Sequence, residues 1–288
     1  MNVLIMAVKI GEEFDVISEV YDSTREAATE AELKTVSSEL RECRTILDVG
    51  IGTGRFAKPL SNCGFEIVGI DLSRKMMLKA KQKGVSDVIL ADAHNMPFRD
   101  EAFDASIIVH VLHLLPDWTG VMQEMGRVTK KKAAALLSNR LGVGSGEVNI
   151  FGDSGIPLYP EFWIRYAKLR EEMGYPIRRN RRRWQNEAEI RSRLPPTKLI
   201  VVRDEVVTSS LSDIIKRFQQ RSSCWNQEVP RDVHDKIIQK LFVSIENSKK
   251  SENDIKETAS AIMDRQITRR VTEELAVWQP DKLRSYQA

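Results

Sequence analysis

Between Thr45 and Leu60 the chain reads Thr-Ile-Leu-Asp-Val-Gly-Ile-Gly-Thr-Gly-Arg-Phe-Ala-Lys-Pro-Leu. A β-prone apolar run ends on an acid, glycines follow at alternate positions (Gly50, Gly52, Gly54), and a helix-like pattern begins. Glycines at such a junction let the backbone turn tightly and approach a ligand closely, and a helix N-terminus presents unpaired N–H groups. The segment predicts a small-molecule site at the end of a first strand.

The surrounding pattern extends that unit into an α/β fold. Strands are predicted at Thr45–Val49, Glu66–Ile70, Asp87–Leu90, Phe103–Val109 and Lys132–Leu137, with helices at Phe56–Ser61, Arg74–Lys83 and Trp118–Val128. Strands separated by helical or turn segments argue for a parallel sheet covered on both faces. Ahead of them, residues 13–42 read as helix in two pieces broken near Asp22-Ser23. Behind them the texture changes: Leu141 to Pro160 holds five of the fifteen glycines, and a Tyr/Trp/Arg-rich stretch runs to Trp184. A helix at Asn186–Arg193 and a strand at Lys198–Val207 return to the sheet, residues 209–265 read as helical, and a last strand spans Ile267–Trp278. The expected organisation over 1–288 is one domain. Its core covers about 43–140, 186–208 and 266–279, and two cap insertions cover about 141–185 and 209–265.

Composition bounds the function classes. Among 288 residues, 42% are hydrophobic, enough for a sizeable core, and 30% are charged, as expected of a soluble surface. The net charge of +3 is too small to argue for nucleic acid on its own. Cys43, Cys63 and Cys224 are odd in number, far apart and without metal spacing, which reads as reduced thiols in a cytoplasmic protein. The apolar opening Met1–Val8 lacks a basic flank and a cleavage site and is too short to span a bilayer, as is every other apolar run.

Three acids fall at the ends of three successive predicted strands: Asp48, Asp71 and Asp92. In an open parallel sheet those carboxyl ends form the ligand crevice. Asp71 sits 17 residues beyond Gly54, where a carboxylate can accept ribose hydroxyls. A nicotinamide site also uses an acid there, and Gly52-Thr53-Gly54-Arg55-Phe56-Ala57 formally fits G-x-G-x-x-G/A. Asp48 and Asp92 decide between the two. An acid before the glycines repels a pyrophosphate but suits an amino group and a sulfonium. An acid after the third strand reaches an adenine amine, with the Ala93 backbone beside it. S-adenosylmethionine is the better fit.

Four motifs in order carry a family resemblance. They are Leu47-Asp48-Val49-Gly50-Ile51-Gly52-Thr53-Gly54, then Gly69-Ile70-Asp71-Leu72-Ser73 with Met76-Met77, then Ala91-Asp92-Ala93-His94-Asn95-Met96-Pro97-Phe98. Phe103-Asp104-Ala105 with His110-Val111-Leu112-His113-Leu114-Leu115-Pro116-Asp117-Trp118 completes the set. Residues from about 21 to 137 resemble the class I S-adenosylmethionine-dependent methyltransferases, in the branch that includes ubiquinone/menaquinone-biosynthesis-type enzymes. The resemblance implies a Rossmann-like, doubly wound seven-stranded sheet whose last strand is antiparallel. It implies cofactor contacts at Tyr21, Arg25, Asp48, Gly50, Gly52, Gly54, Asp71, Leu72, Met76, Asp92, Ala93 and His110. The chain departs from the family at Thr129-Lys130-Lys131-Lys132, where Pro-Gly-Gly is usual, which puts that turn's geometry in question.

Methyl transfer from a sulfonium is an in-line displacement that needs no metal and not always a base, so the protein mainly aligns the acceptor and excludes water. His110 and His113 follow the fourth strand and are the candidates for a general base. The alternative is that His110 lines the methionine pocket while His113 packs or caps the turn. No metal is expected, since no third ligand stands nearby in sequence. His94 reads as a pocket-edge residue, Trp118 as packing, and Tyr21 as either a cofactor contact or a core-edge aromatic. Phe218–Trp225 looks like an insertion that walls the acceptor pocket. Arg178-Arg179-Asn180-Arg181-Arg182-Arg183-Trp184 suits RNA or a phosphorylated substrate, or is a solvated face. The leading expectation is a methyltransferase acting on an N, O or C atom of a small molecule. The alternatives are a tRNA or other nucleic-acid methyltransferase using the arginine run, or a non-catalytic S-adenosylmethionine-binding protein.

Overall fold

The computed structural model describes residues 3–24, 27–115, 117–139, 160–176, 186–210, 212–213, 216, 219, 229–247 and 266–286. The elements are α1 (Val3–Thr24), α2 (Glu30–Glu39), β1 (Thr45–Val49), α3 (Ala57–Asn62), β2 (Glu66–Asp71), α4 (Arg74–Gln82), β3 (Val88–Leu90) and β4 (Phe103–Val109). There follow α5 (Trp118–Val128), β5 (Thr129–Asn139), α6 (Pro160–Glu172), α7 (Asn186–Arg193), β6 (Lys198–Ser210), α8 (Arg231–Asn247), β7 (Gln266–Trp278) and α9 (Pro280–Arg284). The strands form one seven-stranded sheet in the order β3-β2-β1-β4-β5-β7-β6. Strands β1 to β5 run parallel, and β7 is antiparallel to β5, with Leu136 opposite Leu275. This is the doubly wound, Rossmann-like seven-stranded sheet the motifs imply. The strand order reverses between β1 and β4, so the crevice at their carboxyl ends is the switch point where such sheets take ligands.

Alternation along the strands fills both faces. In β1 and β4, Ile46 and Ile107 pack with Val36 of α2, Leu40 just after it, Leu60 of α3 and Ala80 of α4. Leu47, Val49 and Ile108 point the other way, into a cluster with Trp118, Met122 and Met125 of α5, Ile190 of α7 and Leu283 of α9. Successive strand residues face opposite sides, so a strand covered twice reads as a continuous apolar run. Local chemistry sets the helix starts. Thr29 and Glu32 form a capping box on α2, Ser73 caps α4 through the Met76 amide, and Asp117 caps α5 through the Thr119 and Gly120 amides.

Two boundaries differ from the sequence reading. The first helix starts at Val3, well before residue 13, because the apolar opening joins the same helix. At the departure from Pro-Gly-Gly, α5 passes directly into β5 at Thr129 with no intervening turn. The lysines there are anchored: Lys131 Nζ donates to Glu42 O at 2.8 Å, and Lys132 Nζ donates to Glu39 O at 2.7 Å.

The chain divides into two compact units, Met1–Asn139 with Asn180–Asp204 and Thr272–Ala288, and Arg140–Arg179 with Glu205–Val271. In the second, α6 packs on α8: Tyr166 and His234 are fully buried with Tyr166 Oη 3.4 Å from His234 Nδ1. The buried Arg170 donates to Tyr175 O at 2.9 Å. The arginine run 178–183, Arg25, and Phe218 with 220–225 lie outside the described residues.

Helix α9 closes the first unit against α5. A Cβ added at Gly126 would stand 2.7 Å from Leu283 Cβ and 3.0 Å from the Arg284 amide nitrogen and the Pro280 oxygen. Arg284 completes the contact by donating to Gly126 O at 2.8 Å and Thr129 O at 2.7 Å, which satisfies carbonyls at the end of α5. Gly126→Ala forces backbone against backbone and is expected to cost about 1–3 kcal/mol, the usual range for overpacking. Urea denaturation followed by circular dichroism should show the lower midpoint, and an unchanged midpoint would mean that α9 does not sit there.

Candidate cofactor site

Residues 50–54, directly after β1, form the glycine turn. Gly50 and Gly52 take φ of 73° and 55°, which a side-chain-bearing residue adopts only with strain. A Cβ at Gly50 would meet Val111 Cγ2 at 2.5 Å, so this turn is pressed against the segment after β4. At Gly52 nothing lies within 4 Å of the Cβ position: the backbone there faces open space that a ligand can fill. Gly54, at φ 74°, lets α3 start against Ala80 of α4.

Asp71 ties this turn to the next. Its Oδ2 accepts the Gly52 amide and its Oδ1 the Ser73 amide, both at 2.8 Å. Burial raises its pKa above the ordinary aspartate value, against the pull of the Ser73, Gly52 and Leu72 backbone donors. Asp48, in β1, is only 2% exposed. Burial first, and the Asp71 charge second, push it up to about 7, and neither a hydrogen bond nor a cation among the described residues offsets them. Asp48 is thus a buried acid with no counter-cation among the described residues, four positions before the open face of Gly52.

Asp92, beyond β3, has a partner already. Its Oδ1 accepts the His94 amide at 2.9 Å and His94 Nδ1 at 2.7 Å, and the His94 hydrogen bond holds its carboxyl below the ordinary range. The other imidazole nitrogen, Nε2, lies 2.9 Å from Asp117 O, an acceptor only. Both ring nitrogens thus face oxygen atoms, and the His94 pKa is raised above its ordinary value, chiefly by the Asp92 hydrogen bond. Ala93 is half-buried beside it, as is Leu72 after β2, and Met76 is buried in the first turn of α4.

The contribution of α1 is larger than the sequence reading allowed. Asp15 Oδ1 accepts Ser73 Oγ at 2.5 Å and the Lys75 amide at 2.9 Å, at the start of α4. Glu19 pairs with Lys79 at 3.2 Å, and Asp22 takes both Lys83 at 2.7 Å and Thr53 Oγ1 at 2.6 Å. Thus α1 runs alongside α4 and reaches the glycine turn. The available signal was an acid stripe at 15, 19 and 22 matched to lysines at 79 and 83, helical spacing on both sides. Tyr21, next to Asp22, is half-buried with its ring edge-on to Phe14 at 6.2 Å.

The two histidines after β4 part company. His113 is buried in the short 3₁₀ turn Leu112–Leu114, its Nδ1 3.6 Å from Glu187 of α7. His110, with φ of 55°, stands edge-on to Phe56 at 6.5 Å. It is grouped with Glu32 of α2 and Glu273 of β7, one donor atom of each lying within 4.8 Å of the others. No linear spacing brings residues 32, 110 and 273 together, so the sequence carries no sign of this cluster. A cavity of about 410 Å³ lined by Thr45, Glu66, Asp87 and Phe103 opens at the amino ends of the strands, away from the acids.

Residues 47–137 match the family model for a methyltransferase domain. The chain is 34% identical over 122 residues to an uncharacterised protein of Methanocaldococcus jannaschii, covering 41% of this chain and 56% of that one. It is 30% identical over 122 residues to demethylmenaquinone methyltransferase of Paenarthrobacter aurescens, covering 42% and 44%. The chain thus spans about half the length of these curated relatives. A solved structure of the YcgJ protein from Bacillus subtilis covers 86% of this chain and 97% of its own, at 17% identity and a TM-score of 0.46. No helix among the described residues is long and apolar enough to cross a membrane. Beside its glycine turn and its acids at successive strand ends, the chain is thus similar over residues 47–137 to a methyltransferase domain.

Proposed function

We propose that the whole chain transfers the methyl group of S-adenosylmethionine to a nitrogen, oxygen or carbon atom of a small-molecule acceptor. The observation that carries this reading is the pairing of a buried, uncompensated Asp48 with the open face of Gly52. When bound, the cofactor supplies a methyl group on a sulfonium, which leaves by in-line displacement. In this reading Asp48 faces the positive charge of the methionine end, the Gly52 turn lies against its backbone, and Asp71 accepts ribose hydroxyls with the lone pairs its amide donors leave. Asp92 serves the adenine edge beside Ala93. Tyr21, Leu72 and Met76 close the pocket walls, and Arg25 precedes α2. His113 is engaged by Glu187, which leaves His110 as the histidine on the acceptor side. Alignment and exclusion of water then carry the rate, without an obligatory base.

Calorimetric titration tests the cofactor assignment. S-adenosylmethionine should bind and NAD should not; the reverse would sink the reading. Asp71→Ala is expected to weaken binding at least about tenfold, or about 1.4 kcal/mol, and an unchanged affinity would remove Asp71 from the site.

Asp48 also dictates a pH dependence. Its folded pKa of about 7 lies above its ordinary 3.8. A cationic ligand must displace its proton below that folded value, so affinity should rise about tenfold per pH unit up to it and then level off. The free protein responds in the opposite sense. The raised pKa stabilises it fully below the ordinary value, and that contribution is lost as pH rises through about 7. Asp48→Asn should flatten the affinity profile; a parallel slope in that variant would assign the proton elsewhere.

Incubation with labelled cofactor and cell extract, then separation of small molecules from RNA, distinguishes the acceptor classes. Label in the small-molecule fraction supports the proposal. Label confined to RNA favours the nucleic-acid alternative, and no transfer despite binding favours a non-catalytic protein.

A further inference from the structure

Glu32, His110 and Glu273 come from three elements that the sheet holds in place. Glu32 is the third residue of α2, and its Oε2 accepts the Thr29 amide at 2.5 Å, which pins the side chain. His110 follows β4 with a left-handed backbone, a conformation rare for a residue with a side chain and one that fixes where its ring points. Glu273 lies on β7, two residues before Leu275 of the core. Both carboxylates are buried, at 4% and 7% exposure. One donor atom from each residue lies within 4.8 Å of the other two. Glu273 Oε2 is fully enclosed and accepts no hydrogen bond among the described residues. Burial and a hydrogen bond shared with Glu32 raise the Glu273 pKa, while Arg203 of β6 and Arg55 just after the glycine turn contribute positive charge in the opposite sense, and the Oε2 atom itself stays unsatisfied. An orphaned carboxylate oxygen costs several kcal/mol in a protein interior unless a cation or a donor meets it.

We propose that Glu32, His110 and Glu273 form an open, three-ligand site for a divalent cation of the zinc or manganese type. The donor set argues for that class. One imidazole and two carboxylates suit zinc, manganese or ferrous ions, whereas magnesium and calcium prefer oxygen alone. Donors about 2.1 Å from a shared centre lie about 3.4 Å apart in a tetrahedron and about 4.2 Å apart when opposite. A mutual spread within 4.8 Å therefore closes on an ion with small side-chain movements. Three protein ligands leave coordination positions open, as in sites that act on a substrate. A hydroxyl or carboxylate oxygen of the methyl acceptor would fill one of them; that extension rests on the proposed function, whereas the ion site does not. A histidine bound to a metal is not free to act as a base, so this assignment replaces the base role considered for His110.

The test uses the full chain stripped with a chelator and titrated with zinc chloride, followed by the thermal midpoint. Cobalt chloride with its visible absorption serves as the coordination probe. The expected result is one ion per chain, a raised midpoint, and cobalt bands of a nitrogen/oxygen site. Glu273→Gln and Glu32→Gln should each weaken binding at least tenfold. Glutamine at 32 keeps the capping box, and glutamine at 273 removes the orphaned charge, so both variants should melt without metal at or above the wild-type midpoint. Cys63→Ser, at an exposed thiol, should bind as the wild type does. No saturable binding by the wild-type chain, sulfur-type cobalt bands, or undiminished affinity in Glu273→Gln would each overturn the proposal. Because the readout is ion binding, failure here leaves the cofactor titration unaffected.

Discussion

One carboxylate joins the turns that follow β1 and β2. Asp71 accepts the Gly52 amide through one oxygen and the Ser73 amide through the other. The first holds the glycine turn after β1, the second the entry to α4 after β2. Because β1 and β2 are parallel neighbours, in register from Thr45 with Glu66 to Val49 with Ile70, their carboxyl ends arrive side by side. The sheet brings the turns together, and Asp71 fixes their relative orientation.

That arrangement gathers negative charge at one end of the sheet. Beyond burial, the Asp71 charge raises the cost of ionising Asp48, and the Asp15 charge raises that of Asp71. The chain relieves only part of this. Backbone amides serve Asp71, the His94 imidazole serves Asp92, and Lys79 of α4 with Lys83 at its C-terminal end serve Glu19 and Asp22 of α1. Asp48 receives nothing comparable among the described residues. A buried acid left without compensation beside compensated neighbours is the feature on which the proposed function rests.

Much of the framework was legible because the signals are local. The strand–glycine–helix unit, the acids at successive strand ends and the start of α5 after Asp117 all depend on residues near one another in sequence. The lysine-rich entry to β5 was read as an altered turn; the structure has none, because Thr129 extends the strand straight from the helix. The depth of α1 was missed because its role depends on pairing Asp15, Glu19 and Asp22 with residues some 60 positions away. In sequence His110 and His113 are both candidates for a general base; the structure places Glu187 beside His113.

The sequence by itself determined the fold class and the methyl-donor signature, since periodicity, glycine placement and strand-end acids are properties of contiguous segments. Only the tertiary structure decided what each acid meets: an amide for Asp71, an imidazole for Asp92, no cation among the described residues for Asp48, and a histidine with a second buried glutamate for Glu32 and Glu273. The physical reason is range. Hydrogen bonding along a strand or helix is set by neighbours in the chain, whereas the ionisation of a buried group is set by whatever the folded sheet places within a few ångströms of it.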